Sequence, residues 1–273
     1  MSKYVIIDLE TTGLFPLSDE AVEIGAVLAK DGEVLGRFHA LLRTAVKVSE
    51  GAFRAHRLSN DDLNKLGEEP EKAWKKLKTF IEEYPLIAHN GLSFDFHFIF
   101  NAFTRYGIDP GANKLIDSIP VFSELTKNQY RSYSLPNLCR QYKVVNAAAH
   151  RAEGDVEALH QLFKIIVGKK PGITRLWEMC GAYKFHSMEE ILRDLPKGFE
   201  LLQQAMENEL EICIEYTKVN EAPEVRWIKP MVIQLAYGNQ YVQAFCYLRN
   251  ELRTFRLSRI SKMMELREGS SDE

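Results

Sequence analysis

Tyr4-Val5-Ile6-Ile7-Asp8-Leu9-Glu10-Thr11-Thr12-Gly13 decides how the rest of the chain is read. The apolar run Tyr4–Ile7 has the length and composition of a buried strand. Side chains two apart on a strand share a face, so Asp8 and Glu10 look the same way, with Cα atoms roughly 6–7 Å apart. Two neighbouring carboxylates repel each other, and keeping both ionised near a core is costly. A divalent cation between them removes that penalty. Mg²⁺ and Mn²⁺ take oxygen ligands, and paired ions about 3.5–4 Å apart recur in phosphodiester cleavage. A strand end with solvated acids before a glycine turn is the other reading. These residues by themselves do not choose between the two.

The bulk properties set the frame. A chain of 273 residues is one large domain or two ordinary ones. The net charge of −3 gives no global basic field that would announce a nucleic-acid partner. Cys139, Cys180, Cys213 and Cys246 lie far apart and form no CxxC pair, which argues against a zinc or redox site and fits a reducing cytosol. The sequence runs straight into its first strand without a signal peptide. No apolar run approaches the roughly 20 residues that span a bilayer. A soluble cytoplasmic protein without a membrane partner is expected.

The patterning predicts an opening meander. Ala21–Leu28 and Val34–Leu42 read as strands joined by the turn Lys30-Asp31-Gly32-Glu33. Pro70 begins a helix with Ala73, Leu77, Phe80 and Ile81 on one stripe. Leu86–Ala88 is a short buried strand, Phe94–Tyr106 a helix closed by Gly107, and Lys114–Asp117 another short strand. Leu135–Tyr142 and Ala152–Val167 are helices. Strands followed by strand–helix alternation predict an α/β domain, a mixed sheet flanked by helices. Gly168-Lys169-Lys170-Pro171-Gly172 breaks the pattern, and residues 173–195 read as helical and connective. Beyond them a helix, Phe199–Asn208, precedes strand-like segments at Leu210–Tyr216, Arg226–Ile233, Tyr241–Tyr247 and Leu252–Leu257, which make a small, mostly β second domain.

Two further acids face inward. Asp95 opens a helix and shares a face with Ile99 and Ala102. An N-terminal acid favoured by the helix dipole would look the same. Asp155 heads a stripe with Leu159, Leu162 and Ile166, where an isolated carboxylate would be pushed towards neutrality and a metal would keep it charged. His150 precedes it by five residues, on the loop entering the helix. An imidazole with a pKa near about 6.5 suits proton removal from attacking water, although a lone loop histidine is more often a surface residue.

Asp8-x-Glu10-Thr11-Thr12-Gly13, His89-Asn90 with Asp95, and Ser134-Leu135 leading to His150-Arg151-Ala152 and Asp155 together resemble the DEDDh (DnaQ-like) 3′–5′ exonucleases, over roughly residues 1–167. The resemblance implies an RNase H-like mixed sheet and two metal ions per active site, Mg²⁺ or Mn²⁺. It implies that Asp8 bridges the ions, that Glu10 and Asp155 hold one of them, that Asp95 reaches the other, and that His150 is the general base. It places the terminal nucleotide against Thr11, Thr12, Gly13 and Leu14, with Asn90 near the strand. Where the family often has a His-Gly pair, this chain has His56-Arg57, with His56 expected to approach the substrate. Of Phe94, Phe96, Phe98, Phe100 and Phe103, one at most is expected on the substrate and the rest in the core.

Leu201–Arg259 resembles a WYL domain through Arg226-x₂-Lys229-Pro230, Tyr241-Val242-x-Ala244-Phe245-Cys246 and Arg253-x-Phe255-Arg256-Leu257-x-Arg259-Ile260, although Gln240 and Val242 replace the Trp and Leu that name the family. That implies an SH3- or Sm-like barrel binding nucleic acid or a nucleotide-like ligand, with Arg226, Arg253, Arg256 and Arg259 as contacts. Nine basic against six acidic residues over 211–267 leave +3 there. The resulting plan is an exonuclease-like domain over 1–167, a helical linker over 168–197, a WYL-like domain over 198–267 and a polar tail over 268–273. The expected function is exonucleolytic trimming of nucleic-acid 3′ ends, single-stranded and preferably DNA. An RNA-trimming enzyme and a non-catalytic sensor are the alternatives.

Overall fold

The computed structural model describes residues 3–146, 148–168, 188–218, 221–236 and 239–269. The chain divides into two compact units: the described residues up to Gly168 form the first, except Phe15–Leu17, which group with the second, and those from Met188 onward form the second.

The first unit is built on a five-stranded mixed sheet in the order β3-β2-β1-β4-β5. β1 (Tyr4–Thr11), β2 (Ala21–Lys30) and β3 (Glu33–Leu41) pair antiparallel as the patterning predicts. Asp31 and Gly32, at φ 56° and 83°, make the two-residue turn between β2 and β3, and such turns need positive φ at both positions to match strand twist. β4 (Leu86–Ala88) joins β1 in parallel, and β5 (Leu115–Asp117) joins β4.

Alternation along β1 divides the core. Val5, Ile7 and Leu9 pack on one side with Trp74, Leu77 and Ile81 of α3 (Pro70–Ile81) and with Phe98, Ile99 and Phe103 of α4 (Asp95–Arg105). Tyr4 and Ile6 pack on the other with Leu138 of α6 (Leu135–Tyr142) and Leu159, Leu162 and Phe163 of α7 (Ala152–Val167). Asp8 and Glu10 continue the Tyr4–Ile6 parity, so they point to the layer that contains α7. The phenylalanines of α4 follow expectation: Phe96, Phe98 and Phe103 are buried, and Phe94 and Phe100 pack against the same core.

Three helices go beyond the sequence reading: α1 (Glu50–His56), α2 (Asn60–Leu66) and α5 (Ser118–Leu125). α1 is capped by the Ser49 hydroxyl and α2 by a reciprocal Ser59–Asp62 box, which satisfy the otherwise orphaned first N–H groups. Asp117 caps α5.

The second unit opens with α8 (Met188–Arg193) and α9 (Glu200–Glu207). Of the expected 173–195 helical stretch, residues 173–187, with Cys180, lie outside the described residues, as does the tail from 270, and Asp194 and Leu195 follow α8 as non-helical chain. An all-antiparallel sheet follows in the order β10-β6-β7-β8-β9, from β6 (Glu211–Tyr216), β7 (Glu224–Ala236), β8 (Asn239–Cys246), β9 (Glu251–Arg256) and β10 (Ile260–Arg267). The sequence patterning does not announce β10. Register shifts at Ile260/Lys262 and Met263/Glu265 break its period-two signal. Ile212, Ile214, Ile228, Val242 and Phe255 form this unit's own core with Leu202 and Ala205 of α9.

Candidate active site

Asp8, Glu10 and Asp155 each offer a carboxylate oxygen, and these oxygens lie within 4.8 Å of one another. β1 supplies the first two from one face. α7 supplies the third from its first turn, and the contact between α7 and the sheet is unusually close. A Cβ on Gly25, which pairs with Asp8 across the β1–β2 ladder, would stand 2.5 Å from the carbonyl carbon and oxygen of Ala152. Only a residue without a side chain lets the N-terminus of α7 come down at that point. A register shift between Glu10 and Thr11 ends the regular ladder beside the cluster. Bulges of this kind re-aim side chains next to active sites.

Asp95 approaches from the opposite side of β1. It is buried, and its Oδ1 accepts the Leu9 N–H at 3.0 Å. It is outside the three-oxygen group but electrostatically coupled to it. Burial, then Asp95, Asp155 and Glu10, push Asp8 well above the usual carboxylate range. Glu10 is pushed up to about 8 by burial, then by Asp155 and Glu23. Asp95 is pushed up to about 7 by burial, against the hydrogen bonds it accepts and with help from Asp117 and Asp155. Asp155 is raised by burial, with the Asn146 amide and the His150 charge opposing. Carboxylates that raise one another are short of positive charge, and a hard divalent cation with its oxygen preference fits that donor set.

His150 is exposed on the turn before α7, with φ 60°. Its backbone N–H donates to Asp155 Oδ2 at 3.2 Å, so the loop that bears the imidazole is tied to a carboxylate of the cluster. Thr11 is buried and its hydroxyl donates to the Gly13 carbonyl at 2.5 Å. The Thr12 hydroxyl donates to Asp19 at 2.8 Å and accepts the Glu20 N–H at 3.0 Å. Leu14 is 45% exposed. Asn90 sits at φ 66° with its N–H on Asp117.

Two expected substrate contacts point inward instead. His56 is buried at the end of α1. Its Nδ1 accepts the Leu58 N–H at 3.0 Å, which leaves Nε2 to donate to the Thr11 carbonyl at 3.1 Å. Both ring nitrogens are spent on backbone, so His56 braces the end of β1. Arg226 is 3% exposed, with Nη1 on the Cys246 sulfur at 3.8 Å and Nη2 paired to Glu224. Arg253 is half-exposed and paired with Glu251 at 2.6 Å. The Arg256 side chain donates to Asn239, and Arg259 lies in the turn Leu257–Arg259.

Other residues at the site stand in no motif that the sequence displays. Asn146 donates its amide to Asp155 Oδ1. Asp117 accepts the N–H groups of Asn90, Leu92 and Ile119, which shapes the loop delivering Asp95, and burial pushes it up to about 6. Glu23, fully buried on β2, binds Arg151, His39 and the Ala152 N–H. Burial would raise Glu23, but the hydrogen bonds from His39 and Arg151, the Arg151 charge and the Ala152 N–H hold it down at about 2.

A mixed sheet in this order, with carboxylates gathered on its central strand and on the helix that packs there, defines an RNase H-like nuclease architecture. Residues 5–163 match the family model described as Exonuclease (RNase T), more than half of the chain, and the chain belongs to that family. Residues 198–264 match the WYL domain model. The chain is 32% identical over 182 residues to the PolC-type DNA polymerase III of Ureaplasma parvum, and 32% identical over 173 residues to that of Staphylococcus haemolyticus. Those alignments take in 64% and 63% of this chain but 12% of each polymerase. Among solved structures, Escherichia coli exonuclease I in complex with a dT13 oligonucleotide superposes with a TM-score of 0.58 at 17% identity, covering 90% of this chain and 55% of that one. A product-bound exonuclease I gives 0.57 at 15% identity, covering 97% and 65%. At these identities the likeness is one of fold.

Proposed function

We propose that this chain is a divalent-metal-dependent 3′–5′ exonuclease that removes nucleotides from single-stranded ends, with DNA preferred to RNA. The observation that carries the reading is the convergence of Asp8, Glu10 and Asp155 within 4.8 Å, with His150 held on the adjoining turn. Asp8, Glu10 and Asp155 would hold one Mg²⁺ or Mn²⁺, and Asp95 would complete the site for a second. When bound, the cations supply Lewis-acid stabilisation of the charge that builds on the scissile phosphate. His150, free to swing on an exposed turn, takes a proton from the attacking water. The Thr11–Leu14 backbone holds the terminal nucleotide, and the exposed Leu14 packs against its base. Family membership, the fold shared with an exonuclease I bound to dT13, and the DNA polymerases among the relatives support the polarity, the single strand and the DNA preference.

The second unit would retain the strand or sense a nucleotide-like ligand through Arg253, Arg256 and Arg259. Its match to the WYL model supports that role. Incubation of matched 3′-labelled DNA and RNA oligonucleotides with Mg²⁺ or Mn²⁺ tests the whole reading. Stepwise release of 5′-monophosphates, faster from DNA and lost in Asp8→Ala and Asp155→Ala, is the expected result. Faster loss of RNA makes the protein an exoribonuclease. Metal uptake without turnover of either strand makes it a binding module.

A further inference from the structure

Glu23 and Glu10 are direct partners across the β1–β2 ladder, which puts their side chains on one face. Their surroundings differ sharply. Glu23 is completely buried and saturated with donors. Its Oε1 receives Arg151 Nη2 at 2.9 Å and faces His39 Nε2 at 2.8 Å. Its Oε2 receives Arg151 Nε at 2.9 Å and the Ala152 N–H at 3.2 Å. No described side chain donates a hydrogen bond to Glu10. Arg151 therefore grips the carboxylate one strand away from the cluster and leaves the one inside it open. The guanidinium is close enough to Glu10 for each to stabilise the charge of the other. A planar, permanently charged fork takes a carboxylate in two-point fashion wherever one is in reach. Without the Glu23 charge, Glu10 is the next such acceptor on that face.

We propose that Glu23 is a decoy anion: it holds the Arg151 guanidinium away from Glu10 and so keeps Glu10 open to a divalent cation. This rests on the metal reading above and adds a positioning residue to it. The arrangement also explains why a buried acid beside the cluster contributes no oxygen to it. All of its acceptor capacity is committed to Arg151, His39 and the start of α7. Arg151 is not the sole tie between α7 and β2: the Ala152 N–H also donates to Glu23 Oε2 at 3.2 Å, and Gly25 leaves room for the backbone at that point.

Calorimetric titration of Mn²⁺ into the full-length protein tests this without any turnover. Glu23→Gln should weaken Mn²⁺ binding about tenfold, the lower end of the effect of residues that orient metal ligands. Arg151→Met should bind Mn²⁺ at least as tightly as wild type, and Glu23→Gln/Arg151→Met should return to the wild-type value. Far-UV circular dichroism and the thermal midpoint of each variant separate lost folding from lost affinity. If Glu23→Gln proves unstable, Arg151→Met alone still decides, since an Arg151 that merely braces the loop predicts weaker binding on its removal. Unchanged affinity in Glu23→Gln, or no recovery in the double variant, overturns the proposal and leaves the metal site standing. A wild-type protein that takes up no Mn²⁺ overturns both.

Discussion

Asp8, Glu10, Asp95 and Asp155 are set against one another, and in the metal-free protein this makes their ionisation a burden on the fold. A carboxyl whose folded pKa lies above its unfolded value contributes stability that is complete below the unfolded pKa and is lost as pH rises through the folded one. Unfolded carboxyls titrate near about 4, while Asp95 is at about 7 and Glu10 at about 8. His39, raised by its bond to Glu23, acts in the same direction. His56, His89 and His160 are lowered by burial, and their opposing contribution is complete above about pH 6.5. The thermal midpoint of the protein in EDTA is therefore expected to fall between about pH 6.5 and 8.5, and to fall less in Glu10→Gln. A midpoint that rises over that range contradicts the mutual repulsion. His150→Ala should cost about 10²- to 10⁴-fold in kcat, the usual range for a general base, with oligonucleotide affinity unchanged. Single-turnover rates and a filter-binding curve check the two halves of that statement. The sequence made these five residues legible because each stands in a short motif. Glu23 and Asp117 stayed hidden because their partners are remote: Arg151 is 128 positions from Glu23, and the Asn90 N–H is 27 from Asp117.

Elements, more than single side chains, decide whether the acids meet. β1, β2, β3, α3 and α7 are legible because each is long enough to show a continuous apolar run, an alternation or a helical stripe. α1 and α2 span seven residues each, too short for a stripe, and their evidence lay in the serines that cap them. β10 failed a period-two reading because its bulges turn the exposed positions out of step. The seat of α7 on β2 is the element-level fact on which the site depends. Gly25→Ala would drive a methyl to within 2.5 Å of the Ala152 carbonyl, where backbone cannot rotate away. The helix must shift, at a cost of about 1–3 kcal/mol typical of overpacking, and Asp155 shifts with it. Exonuclease activity should fall by more than the loss of stability explains, measured well below the thermal midpoint. Full activity in Gly25→Ala would mean that α7 tolerates displacement and that the cluster is not finely placed.

At the scale of the molecule, each unit carries its own core. The first unit buries Ile6, Ile87 and Leu159 on one side of its sheet and Ile7, Leu77 and Phe103 on the other, and the second closes around Ile212, Ile228, Val242 and Phe255. The four carboxylates belong to the first. A ligand that binds the folded state raises stability by RT ln(1 + [L]/Kd), about 2.7 kcal/mol at a hundredfold excess over Kd. That stabilisation acts on whatever unfolds cooperatively with the site. Scanning calorimetry in EDTA is expected to resolve two transitions, since separate cores do not oblige two units to melt together. Saturating Mn²⁺ should raise one of them by roughly 5–10 °C, given a few degrees per kcal/mol for a unit of this size, and leave the other where it was. Asp8→Asn, which removes a ligand and lessens the repulsion, should raise the EDTA midpoint and abolish most of the Mn²⁺ shift. If both transitions move together with Mn²⁺, the two units fold as one cooperative body, and metal at the exonuclease site then stabilises the WYL unit as well.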